Sequence, residues 1–283
     1  MSPRVDPMFE LAPHGPDTLV GQGPRYPWGG LYGGQIVAQA LRAARSTVEP
    51  RFAAHSIRAY FIRRGDHTEP VRYEVDRIRN GRTFVTRRVV ARQAVGAILN
   101  AECSFQLPER ATEFQTVTMP EVPAPDELDD TSWTDTFSRC FVPGEASPTG
   151  RTMAWMKVGV EIGSAGSGSA GSGSELVPAD RRENGFLHQC WLAYLSDDLP
   201  TDSVRAAHPV ARDESEHFFG TSLDHTIWFH RPMRADRWHL HDFSCHHFVG
   251  ARGLSIGHVF DLDGVHVATV AQEVLLRDRR DHR

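Results

Sequence analysis

The sequence repeats one pattern of elements in its two halves, and this duplication limits the folds open to the chain more than any other feature. Residues 33–44, GGQIVAQALRAA, place apolar side chains three and four positions apart, as on one face of an α-helix. Residues 184–195, NGFLHQCWLAYL, repeat that spacing. The apolar positions are Val37, Ala40, Leu41 and Ala44 in the first segment and Leu187, Cys190, Trp191, Tyr194 and Leu195 in the second. The pattern predicts one helix in each half, the second capped by Asn184 and ended before Pro200.

A set of antiparallel strands is predicted after each helix. In the first half, the segments VRYEVD and ILNAECSF alternate apolar and polar residues, and Asn80 with Gly81 forms a hairpin signal. In the second half, Asp263-Gly264 is the corresponding signal, and VHVATVAQEVLL closes the pattern. The segment TIWFHRP resembles AYFIRRG at a constant offset, with Trp228 answering Tyr60. Each half is therefore predicted to contain one helix and about five strands.

A single sheet with one helix leaves a sheet edge and an apolar flank exposed, and pairing two copies covers both. The predicted fold class is α+β, with residues 1–115 and 176–283 as the two units and residues 116–175 as the connection. The connection includes the repeat GSAGSGSAGSGS at 163–174, which lacks large apolar side chains and is predicted to be a flexible tether outside any core. The proline-rich and acidic stretch 107–150 forms the rest of the join.

Composition excludes several functional classes. A chain of 283 residues with 40% hydrophobic and 24% charged residues is globular, and no apolar run approaches the roughly 18 residues of a membrane helix. The net charge of −5 argues against general nucleic-acid binding. Four scattered cysteines without a Cys-x-x-Cys pair, together with an N-terminus unlike a secretory signal, predict reduced thiols and a cytoplasmic location. Basic residues that are almost all arginine suggest a GC-rich bacterial genome.

Several motifs, in a common order, resemble the acyl-CoA thioesterase II family. They are GGQIVAQAL, HSIRAYFIRRGD, GRTFVTRRV and AECSFQ in the first half, and AYLSD, SLDHTIWFHRP and VAQE in the second. The resemblance implies a double hotdog fold, in which two antiparallel sheets each wrap around a central helix. It also implies hydrolysis of medium- to long-chain fatty acyl-CoA to free fatty acid and CoA, and association of the chain into a homo-oligomer.

The resemblance also implies a catalytic trio. The aspartate of AYLSD is Asp197, the residue two positions before the Asp of the Leu-Asp-His motif is Ser222, and the glutamine of VAQE is Gln272. Serine stands where the family has threonine, which keeps the hydroxyl and loses the methyl group. Thioester hydrolysis needs a base for water and donors for the developing oxyanion. Asp197 is the expected base, Ser222 and Gln272 are expected to hold the water or the carbonyl, and the scheme requires no metal or cofactor.

Four further residues are candidates for substrate binding. Gly33 and Gly34 open the first predicted helix, whose N-terminal N–H groups are suited to the thioester oxygen. Arg63 and Arg64 match the geometry of phosphate oxygens, although a solvated strand face is the more common explanation for either residue alone. The positions that answer the trio in the first half are near Thr47, Ala54 and Ser104, none of them a carboxylate, which predicts a single catalytic constellation per chain.

Other interpretations of the same residues stay open from sequence. Asp224 is a rival base, and the histidines of HLHDFSCHH (His239 to His247) suggest a metal, although their spacing along a strand is poor for a single site. A serine acyl-enzyme is disfavoured because no Gly-x-Ser-x-Gly motif occurs. The alternatives for function are a non-catalytic acyl-CoA-binding module and a hotdog-fold hydratase, the latter disfavoured because no closely spaced Asp and His lie beside Asp197.

Overall fold

The computed structural model describes residues 7–144, 148–162 and 179–282, so the predicted tether at 163–174 lies outside the described residues. Within them, three α-helices accompany one antiparallel sheet. The helices are α1 (Gly33–Arg45), α2 (Ala179–Leu195) and α3 (Pro200–Ala207). The strands are β1 (Ala12–Pro13), β2 (Thr18–Gly21), β3 (Ala53–Phe61), β4 (Val71–Asn80), β5 (Phe84–Gln93), β6 (Gly96–Gln106), β7 (Phe137–Phe141), β8 (Thr152–Val158), β9 (Phe218–Ser222), β10 (Asp224–Phe229), β11 (His239–Val249), β12 (Arg252–Asp261) and β13 (His266–Asp278).

The sheet runs without a break through both halves of the chain. Its strand order is β1-β2-β4-β5-β6-β3-β10-β13-β12-β11-β8-β7, with β9 paired to β13 off this path. The halves meet where β3 pairs with β10, with Ile57 opposite Ile227. The two predicted sheets are thus joined edge to edge, and the join pairs the edge that each half by itself would leave open.

The internal repeat is visible in the backbone hydrogen bonds. The Ile62 N–H donates to the Ile98 carbonyl at 2.9 Å, and the His230 N–H donates to the Val267 carbonyl at 2.8 Å. Ile62 and His230 each lie two residues beyond the matched pair of Tyr60 and Trp228, so the offset predicted from sequence is confirmed. Both predicted hairpins are also present, one between β4 and β5 and the other between β12 and β13.

The two long helices lie together on the inner face of the sheet. The predicted apolar stripe of α1 is fully buried, and so are Gln35 and Gln39 on its other side, because α1 packs against α2 as well as against the strands. The amide of Gln39 bonds to the carbonyls of Met8 and Gln22 and accepts a hydrogen bond from Tyr73 at 2.6 Å. These contacts satisfy the buried amide, which would otherwise oppose burial of α1.

The structure corrects two details of the predicted elements. The helix α2 begins at Ala179, so Asn184 lies inside it and is not its N-cap. The helix begins before the apolar stripe because the residues that precede the stripe are mostly good helix formers. Glu183, which is one of these residues, also pairs with Arg42 of α1. The strands β7 and β8, within the predicted connection, extend the sheet beside β11, and α3 begins at Pro200 directly after the predicted stop. The predicted domain boundaries themselves stay a prediction.

We expect two glycine substitutions to change the free energy of unfolding in opposite directions. Gly150 has φ of +55°, and a Cβ there would lie 2.2 Å from the backbone of Ser203 and Ala207 in α3, so Gly150→Ala should lose about 2–3 kcal/mol. Gly185 is exposed in α2 with no atom within 4 Å of an added Cβ, so Gly185→Ala should gain about 0.5–1 kcal/mol. Denaturant unfolding measures both, and a stable Gly150→Ala would contradict the close packing of α3.

Candidate active site

Asp197 lies two residues beyond the end of α2, where the chain tightens before it turns into α3. The Ser196 N–H still donates to the Leu192 carbonyl, whereas the Asp198 N–H donates three residues back, to the Leu195 carbonyl. This tight last turn holds the Asp197 side chain in the interior, where the residue is only 7% exposed. The sequence motif AYLSD therefore ends in a buried carboxylate.

Ser222 and Gln272 reach the same carboxylate from two neighbouring strands. The strand β9 ends at Ser222 and pairs with β13, which carries Gln272. The Ser222 hydroxyl donates to Asp197 Oδ1 at 3.2 Å, and the Gln272 amide donates to the Ser222 oxygen at 2.7 Å. The three residues predicted as a catalytic trio thus form one hydrogen-bonded group, although they are up to 75 positions apart in the chain.

The first turn of α1 lies directly against Asp197. The Gly34 N–H donates to Asp197 Oδ2 at 2.8 Å. A Cβ on Gly33 would lie 2.6 Å from that same oxygen, and a Cβ on Gly34 would lie 2.3 Å from the Tyr194 carbonyl. Glycine is needed at both positions because no side chain fits between α1 and the end of α2. The N–H of Gly34, which was expected to bind the thioester oxygen, bonds to the carboxylate here.

Burial and hydrogen bonding act on Asp197 in opposite directions. Burial is the larger effect, and it raises the pKa of the carboxyl group from 3.8 to about 7. Hydrogen bonds from Ser222, Gly34 and Gln272 lower the pKa, and the neighbouring charge of Asp198 raises it. The carboxyl group therefore titrates near neutral pH, which is where a general base works best.

Arg63 and Arg64 lie in the exposed segment after β3, which runs back toward the start of α1. The Arg64 guanidinium donates to the Trp28 carbonyl at 2.5 Å, and the Arg63 guanidinium donates to the Ala97 carbonyl at 2.9 Å. The Leu31 N–H bonds to the Gly65 carbonyl at 3.0 Å, which ties this segment to the residues that precede Gly33. Both guanidinium groups therefore lie at the surface of the same corner of the fold, without a carboxylate partner among the described residues.

The side chain of Asp198 is a second buried carboxylate of this corner, and no sequence pattern indicated it. Its oxygens accept hydrogen bonds from Trp133 Nε1 at 2.7 Å and from Arg139 at 2.6 Å. These contacts anchor the segment before β7 beside Asp197. Trp133 and Phe137 contribute to the wall of an open cavity of about 750 Å³, and aromatic rings from Tyr26, Trp28, Tyr32 and Tyr194 pack around Trp133 or around each other. No sequence motif indicates this group, because its members come from three separate segments of the chain.

The rival base and the metal candidates lie elsewhere. Asp224 accepts the Glu273 N–H at 2.7 Å on the sheet face opposite to that of its fully buried neighbour His225. His239 and His241 point into the core, whereas His246 and the residues after it are exposed beyond a bulge in β11. Across residues 7–144, 148–162 and 179–282, no group of three or more His, Cys, Asp or Glu side chains is placed to hold a metal ion.

The positions of the N-terminal half that correspond to the predicted catalytic trio make a different set of interactions. Thr47 accepts a hydrogen bond from buried Arg87 at 2.7 Å, and Ser104 bonds to His55 at 2.7 Å. Ala54 is buried and apolar. None of these groups is acidic, which fits the expectation of one constellation in each chain.

The arrangement of a duplicated antiparallel sheet around two central helices defines a double hotdog fold. A solved protein with a hotdog fold from Alicyclobacillus acidocaldarius shares the fold at 20% sequence identity and a TM-score of 0.74. Residues 23–106 match the family model "Acyl-CoA thioesterase N-terminal domain", and residues 174–275 match the model "Acyl-CoA thioesterase".

Relatives agree with both matches. An acyl-CoA thioesterase 2 from Haemophilus influenzae is 34% identical over 87% of this chain and 87% of its own length. A human acyl-coenzyme A thioesterase 8 is 33% identical over 96% of this chain and 88% of its own. The crystal structure of an acyl-CoA thioesterase II from Mycobacterium marinum is 32% identical, covers 96% of each chain and has a TM-score of 0.77. The chain belongs to the acyl-CoA thioesterase family, so the family and the fold predicted from its motifs are confirmed.

We expect Asp197→Asn to stabilise the protein at high pH and not at low pH. The folded pKa of about 7 lies above the unfolded value of 3.8, so the folded state resists ionisation between these values and stability falls as pH rises through them. The amide avoids that cost, and the free energy of unfolding at pH 8 should rise by roughly 2–4 kcal/mol. The gain should shrink toward pH 4. Denaturant unfolding at both values measures it, and an equal effect at both would contradict the raised pKa.

Proposed function

We propose that the chain hydrolyses medium- to long-chain fatty acyl-CoA by activating a water molecule with Asp197. Membership of the acyl-CoA thioesterase family supports the reaction class. The observation that carries the assignment of the site is the convergence of a buried carboxylate, a hydroxyl and an amide from α2, β9 and β13. Groups from three separate elements meet in the interior at a considerable cost in desolvation, which is typical of a functional site.

In this proposal Asp197 removes a proton from water as the water oxygen attacks the thioester carbon. The C–S bond then breaks, and the CoA sulfur leaves with the proton that Asp197 took, so that the products are free fatty acid and CoA and the carboxylate is restored. Each carboxylate oxygen already accepts one hydrogen bond, from Ser222 on one side and from Gly34 on the other, and each retains a further lone pair for the water. The Gln272 amide uses one N–H on Ser222 and has a second N–H beside Asp197, where it can bind the water or the carbonyl oxygen. Ser222, through its hydrogen bond to the carboxylate, and Gln272 thereby hold the water and the thioester in an attack geometry that is rare in bulk water.

The proposal extends to the substrate contacts. Arg63 and Arg64 are the proposed partners of the CoA phosphates, since both guanidinium groups are exposed in the corner that leads to α1. Gly33 and Gly34 are proposed to border the thioester, because both lie directly against the Asp197 carboxylate. The aromatic rings of Tyr32 and Tyr194 form an apolar wall beside this point, which suits a fatty acyl chain.

The cellular setting is also part of the proposal. The four cysteines are buried free thiols, which fits a reducing compartment, and no helix of the described ranges has the length and hydropathy of a membrane span. The buried thiols and the arginine bias of the sequence support a bacterial cytoplasmic setting. Association into a homo-oligomer is proposed from the family resemblance alone.

We expect Asp197→Ala to lower turnover strongly, because it removes the carboxylate that is proposed to accept the proton of water. Free-thiol release should be measured over acyl-CoAs from acetyl to palmitoyl, and should peak at medium or long chains for the unchanged protein. Its kcat/KM should fall as pH drops below about 7, as Asp197 becomes protonated. Loss of one base should cost at least about 10²-fold.

Asp224→Asn is the matched control for that experiment and should retain full activity. Wild-type turnover by Asp197→Ala with loss in Asp224→Asn would move the base to Asp224. Tight binding of acyl-CoA without thiol release by the unchanged protein would support a binding module in place of an enzyme.

We expect Arg63→Gln and Arg64→Gln to raise KM for acyl-CoA with little change in kcat. Loss of a charge-assisted phosphate contact costs about 1.5–3 kcal/mol, or roughly 10- to 100-fold in affinity. The same acyl group on pantetheine, which lacks the nucleotide phosphates, should show no such increase. A rise in KM for both substrates would assign the two arginines to the fold of this corner and not to phosphate recognition.

A further inference from the structure

The Asp197, Ser222 and Gln272 group continues into the core through a buried histidine. The Oε1 atom of Gln272 is hydrogen bonded to Nδ1 of His225, and Nε2 of His225 lies 2.9 Å from the Ser196 hydroxyl. Ser196 precedes Asp197 in the chain, so the hydrogen bonds and one peptide bond form a closed ring. Ser196, His225 and Gln272 each have no exposed surface, so bulk solvent does not reach the inner part of this ring.

With Asp197 ionised and accepting from Ser222, a single direction of hydrogen bonds can run through the whole ring. An ionised carboxylate only accepts, so the Ser222 hydroxyl donates to Asp197 and must itself accept from the Gln272 amide. The carbonyl end of the Gln272 side chain then faces His225, whose Nδ1 must carry a proton. His225 Nε2 is left as an acceptor, and the Ser196 hydroxyl donates to it.

The hydrogen bond between Ser196 and His225, at the inner end of the ring, can also run in the opposite direction. The Ser196 hydroxyl also lies 3.2 Å from the Ala193 carbonyl, so Ser196 can donate there and accept from a proton on His225 Nε2. The Gln272 side chain would then turn its amide nitrogen to His225, and Asp197 would lose the donor that stabilises its ionised form. A histidine that donates from Nδ1 prevents this reversal, because it presents an N–H to the glutamine carbonyl.

We propose that His225 is a positioning residue of the hydrolase, whose Nδ1–H fixes the orientation of the Gln272 side chain and thereby keeps the Ser222 hydroxyl as a donor to Asp197. The inference rests on the proposed role of Asp197 as the base. Burial lowers the pKa of His225 to about 4, so its ring is neutral, with a single proton, wherever Asp197 is ionised. One proton on a neutral ring is what allows the ring to be a donor at one nitrogen and an acceptor at the other.

Two amide substitutions at this position separate positioning from packing. The asparagine amide nitrogen lies at the place of Nδ1 along the side chain, whereas the glutamine amide lies nearer to the place of Nε2. We expect His225→Asn to retain kcat within about fivefold, and His225→Gln and His225→Ala to lose about 10²-fold in kcat with KM nearly unchanged. His217→Gln, an exposed histidine outside the ring, is the control and should match the unchanged protein.

The comparison should include thermal unfolding and Asp197→Asn. A kcat for His225→Gln equal to that of the unchanged protein, or one for His225→Asn as low as that of His225→Gln at equal melting temperature, would overturn the inference. An active Asp197→Asn would instead overturn the proposed function. An inactive Asp197→Asn beside a fully active His225→Gln would remove only the role of His225.

The position of the proton on His225 can also be measured directly in the unchanged protein. With ¹⁵N-labelled histidine at pH 8.5, where Asp197 is ionised, the His225 signals should show a proton on Nδ1 and none on Nε2. The signals absent from His225→Asn identify the residue. A proton on Nε2 at this pH would contradict the proposed direction of the ring whatever the kinetics show.

Discussion

The contact between the start of α1 and the end of α2 is the constraint on which the site depends. There the Gly34 N–H bonds to Asp197, so a donor from the first half of the chain stabilises a carboxylate from the second half. The contact exists because neither Gly33 nor Gly34 has a side chain to separate the two helices. The hydrogen bonds to this carboxylate therefore come from both halves of the chain.

The two halves of the chain share a fold but have different side chains where their central helices end. The two halves are alike where β3 pairs with β10 at the centre of the sheet, with Ile57 opposite Ile227. Away from this strand pairing, the side chains of the two halves differ. Where the second half buries Asp197, the first half has Thr47, held by the guanidinium of Arg87. The same scaffold therefore supports a structural hydrogen-bond network at one end and a titratable carboxylate at the other.

The site balances two opposing free energies at Asp197. Burial alone would keep the carboxyl group protonated, and the hydrogen bonds from Ser222, Gly34 and Gln272 bring its pKa back to about 7. In the proposed role of Asp197 as a base, a carboxylate with a low pKa would bind the proton of water weakly, and one without hydrogen-bond donors would stay protonated at neutral pH. The donors must therefore hold their orientation, which gives a physical reason for the buried ring that extends from Gln272 through His225 to Ser196.

The amino-acid sequence determined the repeat, the two central helices, the hairpins and the family, because apolar periodicity and short motifs are local properties of the chain. Through its resemblance to the acyl-CoA thioesterase II family, the sequence also predicted the trio of Asp197, Ser222 and Gln272. The start of α2 was misplaced because Asn184 looks like a cap when only the apolar stripe is read. The sequence did not reveal β7 and β8 or the role of Asp198, whose partners Trp133 and Arg139 lie about 60 positions away. Only the tertiary structure decided these features, along with the pKa of Asp197 and the direction of its hydrogen bonds, because burial and polar contacts depend on which distant segments the fold brings together.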